Sequence, residues 1–189
     1  MRHLGWILAG SLIFGLTGTT MAQHDIDWTL DKAIRIVEYR EKIELPLILE
    51  QVTAQVSAGE EYADHPALNE KITSANDSLK LLIPELEAGN IPFDHIGRLL
   101  YRLKLHFGVA SLIKLRQLSD EKWQGNDDKI INALESIRTS VYALDLERAK
   151  IDKVQYAISY FKGVKIGMLK NKTLRKGREL VNDVIYALL

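Results

Sequence analysis

The chain has 189 residues, 25 basic and 25 acidic side chains, 47% hydrophobic residues and no cysteine. A charged share of 26% beside that apolar content describes one domain with a sizeable core, not a disordered or fibrous chain. The lack of cysteine excludes a disulfide framework, a thiolate-held zinc, a haem-attachment motif, an iron-sulfur cluster and a thiol nucleophile.

Residues 1–22 read as a secretory signal. Arg2 and His3 precede an apolar stretch from Leu4 to Leu16, and the small residues Thr20 and Ala22 place a cleavage after Ala22. A membrane anchor is the alternative, but the apolar stretch falls short of the roughly 20 residues that a bilayer crossing needs. The mature chain, residues 23–189, then forms a single helical-bundle domain in the periplasm or outside the cell.

From Thr29 to Ser57 apolar residues recur at helical spacing: Leu30, Ala33, Ile34, Val37, Leu45, Ile48, Val52 and Val56. Pro46 lies inside this segment and predicts a kink or a break into two helices, because it removes an amide donor and crowds the preceding turn. The next helix opens with Asp64 or His65 as cap and Pro66 in the first turn, and carries Leu68, Ile72, Ala75, Leu79, Leu82 and Leu86 on one seam. Pro84 threatens only its last turn, and Gly89-Asn90-Ile91-Pro92 reads as a firm turn. A third helix is predicted from Phe93 to Leu118, with an apolar surface wide enough for two or more neighbours. Ser119 to Asp128 is a polar bridge, with room for a short turn at Glu121 to Gln124.

The fourth segment keeps near-heptad spacing from Asp127 or Asp128 to Phe161, which predicts a rod of roughly 50 Å. Gly163 and Gly167 weaken its continuation. Asn171-Lys172-Thr173 reads as a break with Thr173 as cap, and a last helix runs from Leu174 to Leu188. The expected fold is all-α, an elongated bundle of four to five helices with a long fourth helix, of coiled-coil character.

Charge is unevenly distributed. Residues 23–94 carry 15 acidic and 6 basic side chains, and residues 95–189 carry 10 acidic and 18 basic ones. Two outcomes are open: the halves pack together and neutralise each other, or they leave patches of opposite sign.

Catalytic and metal chemistry find no constellation. His95 and His106 are 11 residues apart, about 16 Å along a helix axis, too far to share one metal. Cross-helix sites built from His65 with Asp64 or His95 with Asp94 stay open, with capping or packing the favoured role for these histidines. His24 would close a chelate only with a cleavage after Met21. Nucleophile elbows, phosphate loops and zinc motifs are missing, so no catalytic residue, cofactor or metal is assigned. Asn76 and Asn171 match the N-glycosylation pattern.

The strongest lead is a basic run. Lys162, Lys165, Lys170, Lys172, Arg175, Lys176 and Arg178 occur within 17 residues that contain no acid. Export and the scarcity of interleaved aromatics argue against nucleic acid. A protein partner with an acidic surface or an anionic membrane surface fits better. The same run could instead face the acidic first half of its own chain. Trp28 and Trp123, near helix ends, either plug the bundle or anchor a partner, and plugging is the favoured reading. The long helices leave pairing between two copies open, so a homodimer stands among the partners. These observations describe an exported non-enzymatic protein that binds or inhibits another macromolecule through a helix face or the basic segment. A membrane-associated envelope structural protein is the alternative, and a bundle enzyme or metal carrier comes third.

Overall fold

The computed structural model describes residues 14–58, 65–164 and 171–189. They form eight helices: α1 (Phe14–Tyr39), α2 (Glu44–Ala58), α3 (Pro66–Glu87), α4 (Phe93–Arg116), α5 (Asp120–Gln124), α6 (Asp127–Ala143), α7 (Arg148–Gly163) and α8 (Asn171–Leu188). The all-α class holds, but the elongated bundle of four to five helices does not. The long fourth helix is two helices, and the eight elements cross-pack extensively.

The break between α6 and α7 is a backbone device. Asp145 adopts a left-handed φ of 51°, its N–H donates to the Tyr142 carbonyl (3.1 Å), and the Leu146 N–H donates to the Val141 carbonyl (3.1 Å). This pair of bonds satisfies carbonyls that a helix end otherwise leaves orphaned, and it reverses the chain. α7 then packs back on α6.

The same motif ends α1. Arg40 takes φ 54°, with Arg40 N–H on the Val37 carbonyl (3.1 Å) and Glu41 N–H on the Ile36 carbonyl (3.0 Å). The first predicted segment does divide in two, but six residues ahead of Pro46. That proline sits in the first turn of α2, where its missing N–H has no intrahelical partner to lose. The third instance follows α3, at Gly89 (φ 77°), where Asn90 N–H reaches the Glu85 carbonyl (2.9 Å).

Other boundaries agree with the sequence reading or move by a turn. His65 is the N-cap of α3 with Pro66 behind it, and Pro84 is carried within the last turn of α3. The short turn expected near Glu121 is α5. Thr173 is not a cap, since α8 already begins at Asn171.

Packing makes α4 the shared element. α1, α2, α3 and α4 close one cycle of neighbours, and α4, α6, α7 and α8 close a second. The wide apolar surface of α4 thus meets four helices, and Leu100, Leu103, Phe107 and Leu112 are fully enclosed. Each such side chain contributes about 1.5–3 kcal/mol relative to exposure. Gly97 and Gly108 open α4 on nearly one azimuth. A Cβ at Gly97 would lie 3.3 Å from Val37 of α1, and one at Gly108 only 2.6 Å from Ile137 of α6.

This topology also reduces the charge separation suggested by the linear count. Five of the basic residues beyond 94 (Arg98, Arg102, Lys104, Lys114 and Arg116) lie on α4 itself, which packs against α1 and α3. Lys104 forms an ion pair with Asp31 of α1.

Candidate interaction site

The basic run straddles the connection from α7 to α8, and an aromatic junction holds its base. Trp123 of α5 is 1% exposed and meets Phe161 of α7 edge-on, with ring centroids 5.8 Å apart. Phe161 in turn stands edge-on to Tyr160 at 5.6 Å. The Tyr160 hydroxyl donates to the Thr173 carbonyl (2.9 Å), tying the end of α7 to the first turns of α8. Burial, and then the neighbouring Tyr156, push the Tyr160 phenol above its ordinary pKa. Gly177 admits the rings into the α8 interface, because a Cβ there would lie 3.1 Å from Trp123 and 3.2 Å from Phe161.

Arg178 completes this junction. Its guanidinium carbon lies 5.0 Å from the centroid of the Trp123 ring. Nη1 donates to the Arg116 carbonyl (2.8 Å), and Nη2 donates to the Leu118 carbonyl (2.6 Å) and to Asp120 Oδ1 (2.8 Å). A planar fork can serve three acceptors and a ring face at once, and here it closes the carbonyl end of α4.

The other members of the run have different surroundings. Lys162 donates to Glu135 Oε1 of α6 (2.5 Å). Arg175 and Lys176 both pair with Glu179, at 3.2 and 3.8 Å, and Arg175 remains 84% exposed. Lys165 and Lys170 lie outside the described residues, as does the side chain of Lys172. Glu135, Glu179 and Asp120 all belong to residues 95–189, so the acids that hold the described basic groups are not those of the first half.

The two tryptophans part company. Trp123 plugs the junction as expected. Trp28 does not plug anything: it is 61% exposed on α1, with Lys32 Nζ 5.7 Å from its ring. The sequence reading also passed over Tyr39, Ile43 and Leu47, all strongly exposed on the α1–α2 corner. Their signal was available, since Ile43 and Leu47 fall off the Leu45–Ile48–Val52 line.

Among the described residues no three His, Asp or Glu side chains gather as metal ligands. His95 is exposed, whereas His106 is half-buried, and its pKa is pushed down to about 4 by desolvation and by the charges of Lys71 and Arg102. Asn76 is buried and its amide donates to Ser57 Oγ (3.2 Å), so the folded chain keeps it from a glycosylating enzyme. A shallow depression on α3 is lined by Asn69, Glu70, Thr73, Asp77 and Leu81 and belongs to a single helix face. Among the described residues no helix is long and apolar enough to cross a membrane.

No protein-family model, curated protein or solved structure matches the chain.

Proposed function

We propose that this chain is an exported, non-enzymatic helical protein that binds another macromolecule with an acidic surface through the α7–α8 connection. The observation that carries the reading is the base of that connection. Lys162, Tyr160 and Arg178 tie the end of α7 and the first turns of α8 to α6, to each other and to the end of α4, so the described flanks of the run are held. Held flanks lower the ordering cost of association, and a sequence run of positive charge raises the encounter rate with an acidic partner. Within the run, Arg178 is a supporting residue. Lys162 supports it too, through Glu135, and contact falls to Lys165, Lys170, Lys172, Arg175 and Lys176.

The test changes Lys170, Lys172, Arg175 and Lys176 to glutamine. Pull-down from a native envelope extract, paired with flotation on anionic liposomes, should show capture of an acidic protein by the wild type and its loss in the variant. The melting temperature should barely move, because the pairs that Arg175 and Lys176 make with Glu179 are exposed and contribute little individually. Capture by liposomes alone would transfer the contact to a membrane surface, and an unchanged variant would remove the run from the contact. Export is checked separately: mass spectrometry of the exported product should find Gln23 at its N-terminus, and a full chain retained in membrane would refute cleavage after Ala22.

A further inference from the structure

Next to the α7–α8 connection, α7 leaves one aromatic side chain in water. Tyr156 is 58% exposed and lies one turn before Tyr160, and a step of four residues sets both on one edge of the helix. They are close enough for Tyr156 to help push the Tyr160 phenol above its ordinary pKa. The Tyr160 bond to the Thr173 carbonyl (2.9 Å) lays this edge of α7 against the first turns of α8. Lys176 follows Thr173 by three residues and is exposed. Lys153 precedes Tyr156 by three residues, is exposed too, and makes no ion pair among the described residues. The Tyr156 phenol thus stands between two lysines, on the edge that leads into the basic run.

The charge of this region is positive on any boundary that contains both helices. Leu144 to Leu189 carries ten basic and five acidic side chains, and with α5 and α6 included, from Ser119, the balance is 13 to 10; residues 23–143 carry 14 basic and 20 acidic ones. The five acids beyond Leu144 are accounted for. Asp152 is held by Arg148 (2.9 Å), and Glu179 by Arg175 and Lys176. Asp145 and Glu147 lie at the α6–α7 corner, nine or more residues from Tyr156, or about 14 Å of helix, and Asp183 lies about 10 Å beyond Lys176 on α8. Opposite, on α6, Glu135 is shared by Arg138 and Lys162. Carboxylates from outside therefore complement this edge. An acidic protein segment fits it better than a flat anionic membrane, which would also press on the exposed Asp152 and Glu179. Among such charges a tyrosine supplies apolar area together with a hydroxyl that donates to a carboxylate.

We infer that Tyr156 is the aromatic anchor of the partner contact, and that an acidic segment of the partner protein lies along the α7–α8 edge from the connection past Tyr156 to Lys153. This rests on the function proposed above and adds a division of labour: the basic run sets the encounter rate, and the ring sets the residence time. A benzophenone amino acid in place of Tyr156 in the full chain should, on irradiation of cells, form an adduct with the same acidic protein that the wild type captures. One in place of Tyr186, an exposed tyrosine about 20 Å along α8 from Thr173, should not. With that protein purified, Tyr156→Ala should dissociate at least about tenfold faster, at an association rate and salt dependence near those of the wild type, and should melt with the wild type because the position is exposed. Tyr156→Phe keeps the ring and should lose less than about threefold. The glutamine variant of the basic run should instead associate more slowly, with a weaker salt dependence. Tyr156→Ala dissociating like the wild type, or adducts forming from position 186 as readily as from 156, would overturn the anchor while leaving the proposed function in place. Adducts from position 156 to lipid would overturn it in favour of a membrane surface. A wild type that captures no acidic protein would remove the proposed function and the anchor together.

Discussion

Replacing Arg178 by glutamine should destabilise the fold by about 3 kcal/mol, a large effect for a residue in a lysine-rich surface run. Two of its bonds go to carbonyls at the end of α4 (Arg116 and Leu118), and a charged donor to such groups is worth about 1–1.5 kcal/mol each. The stack on the buried Trp123 ring adds roughly 0.5–2 kcal/mol. The pair with Asp120 adds little, because that carboxylate is well exposed. These terms share one side chain and do not simply add. For a chain of this size the loss corresponds to a fall in melting temperature of roughly 6–12 °C. Urea unfolding followed by circular dichroism measures it, with Trp123 fluorescence as a second probe. Arg178→Lys should recover only part of the loss, since an ammonium cannot reach three acceptors and cover the ring together. Arg175→Gln, at an exposed neighbour, should stay within about 0.5 kcal/mol of the wild type. An Arg178→Gln variant as stable as the Arg175 one would refute the assignment of Arg178 to the scaffold.

Two further outcomes follow from local geometry. Arg40→Gly should stabilise the chain by roughly 1 kcal/mol in urea unfolding, because glycine removes the steric cost of the left-handed conformation at the end of α1, and a loss of stability would contradict that account. His106 has a folded pKa near 4 against an unfolded value near 6.5, so the unfolded chain binds the extra proton between those values. Stability from this group is therefore complete above about pH 6.5 and is lost as pH falls through 4, on the order of 3 kcal/mol in all. In urea midpoints at pH 7 and pH 5, His106→Gln should show a smaller drop than the wild type, and equal drops would assign the acid sensitivity elsewhere.

The apolar periodicity was legible because it is a local property of an amphipathic helix. Leu68, Ile72, Ala75, Leu79 and Leu86 prove buried and Leu82 partly so, and the wide surface of α4 announced several neighbours. The turn at Gly89 was legible for a similar reason, since glycine enters the left-handed region without cost. The equivalent turns at Arg40 and Asp145 carry no such mark. The near-heptad seam runs through Leu144 and is broken only by Arg148 and Gln155, and a polar seam residue is compatible both with one rod and with two packed helices. At the α7–α8 connection the positive run was plain, but the separate role of Arg178 was not. Its acceptors lie about 60 residues away in the chain, on Arg116, Leu118 and Asp120.

By itself the amino-acid sequence determined which residues would leave water: a helical chain with this periodicity must bury those stripes, whatever their order in space. Tertiary structure decided which stripe meets which, and thereby where the chain turns. A non-glycine residue in the left-handed region costs roughly 1–2 kcal/mol, which its two local capping bonds offset only in part. It is populated at Arg40 and Asp145 because the reversal lets α2 pack on α1 and α7 pack on α6, and that burial outweighs the strain. The same balance left Trp28, Ile43 and Leu47 outside, since the first cycle of helices closes without them.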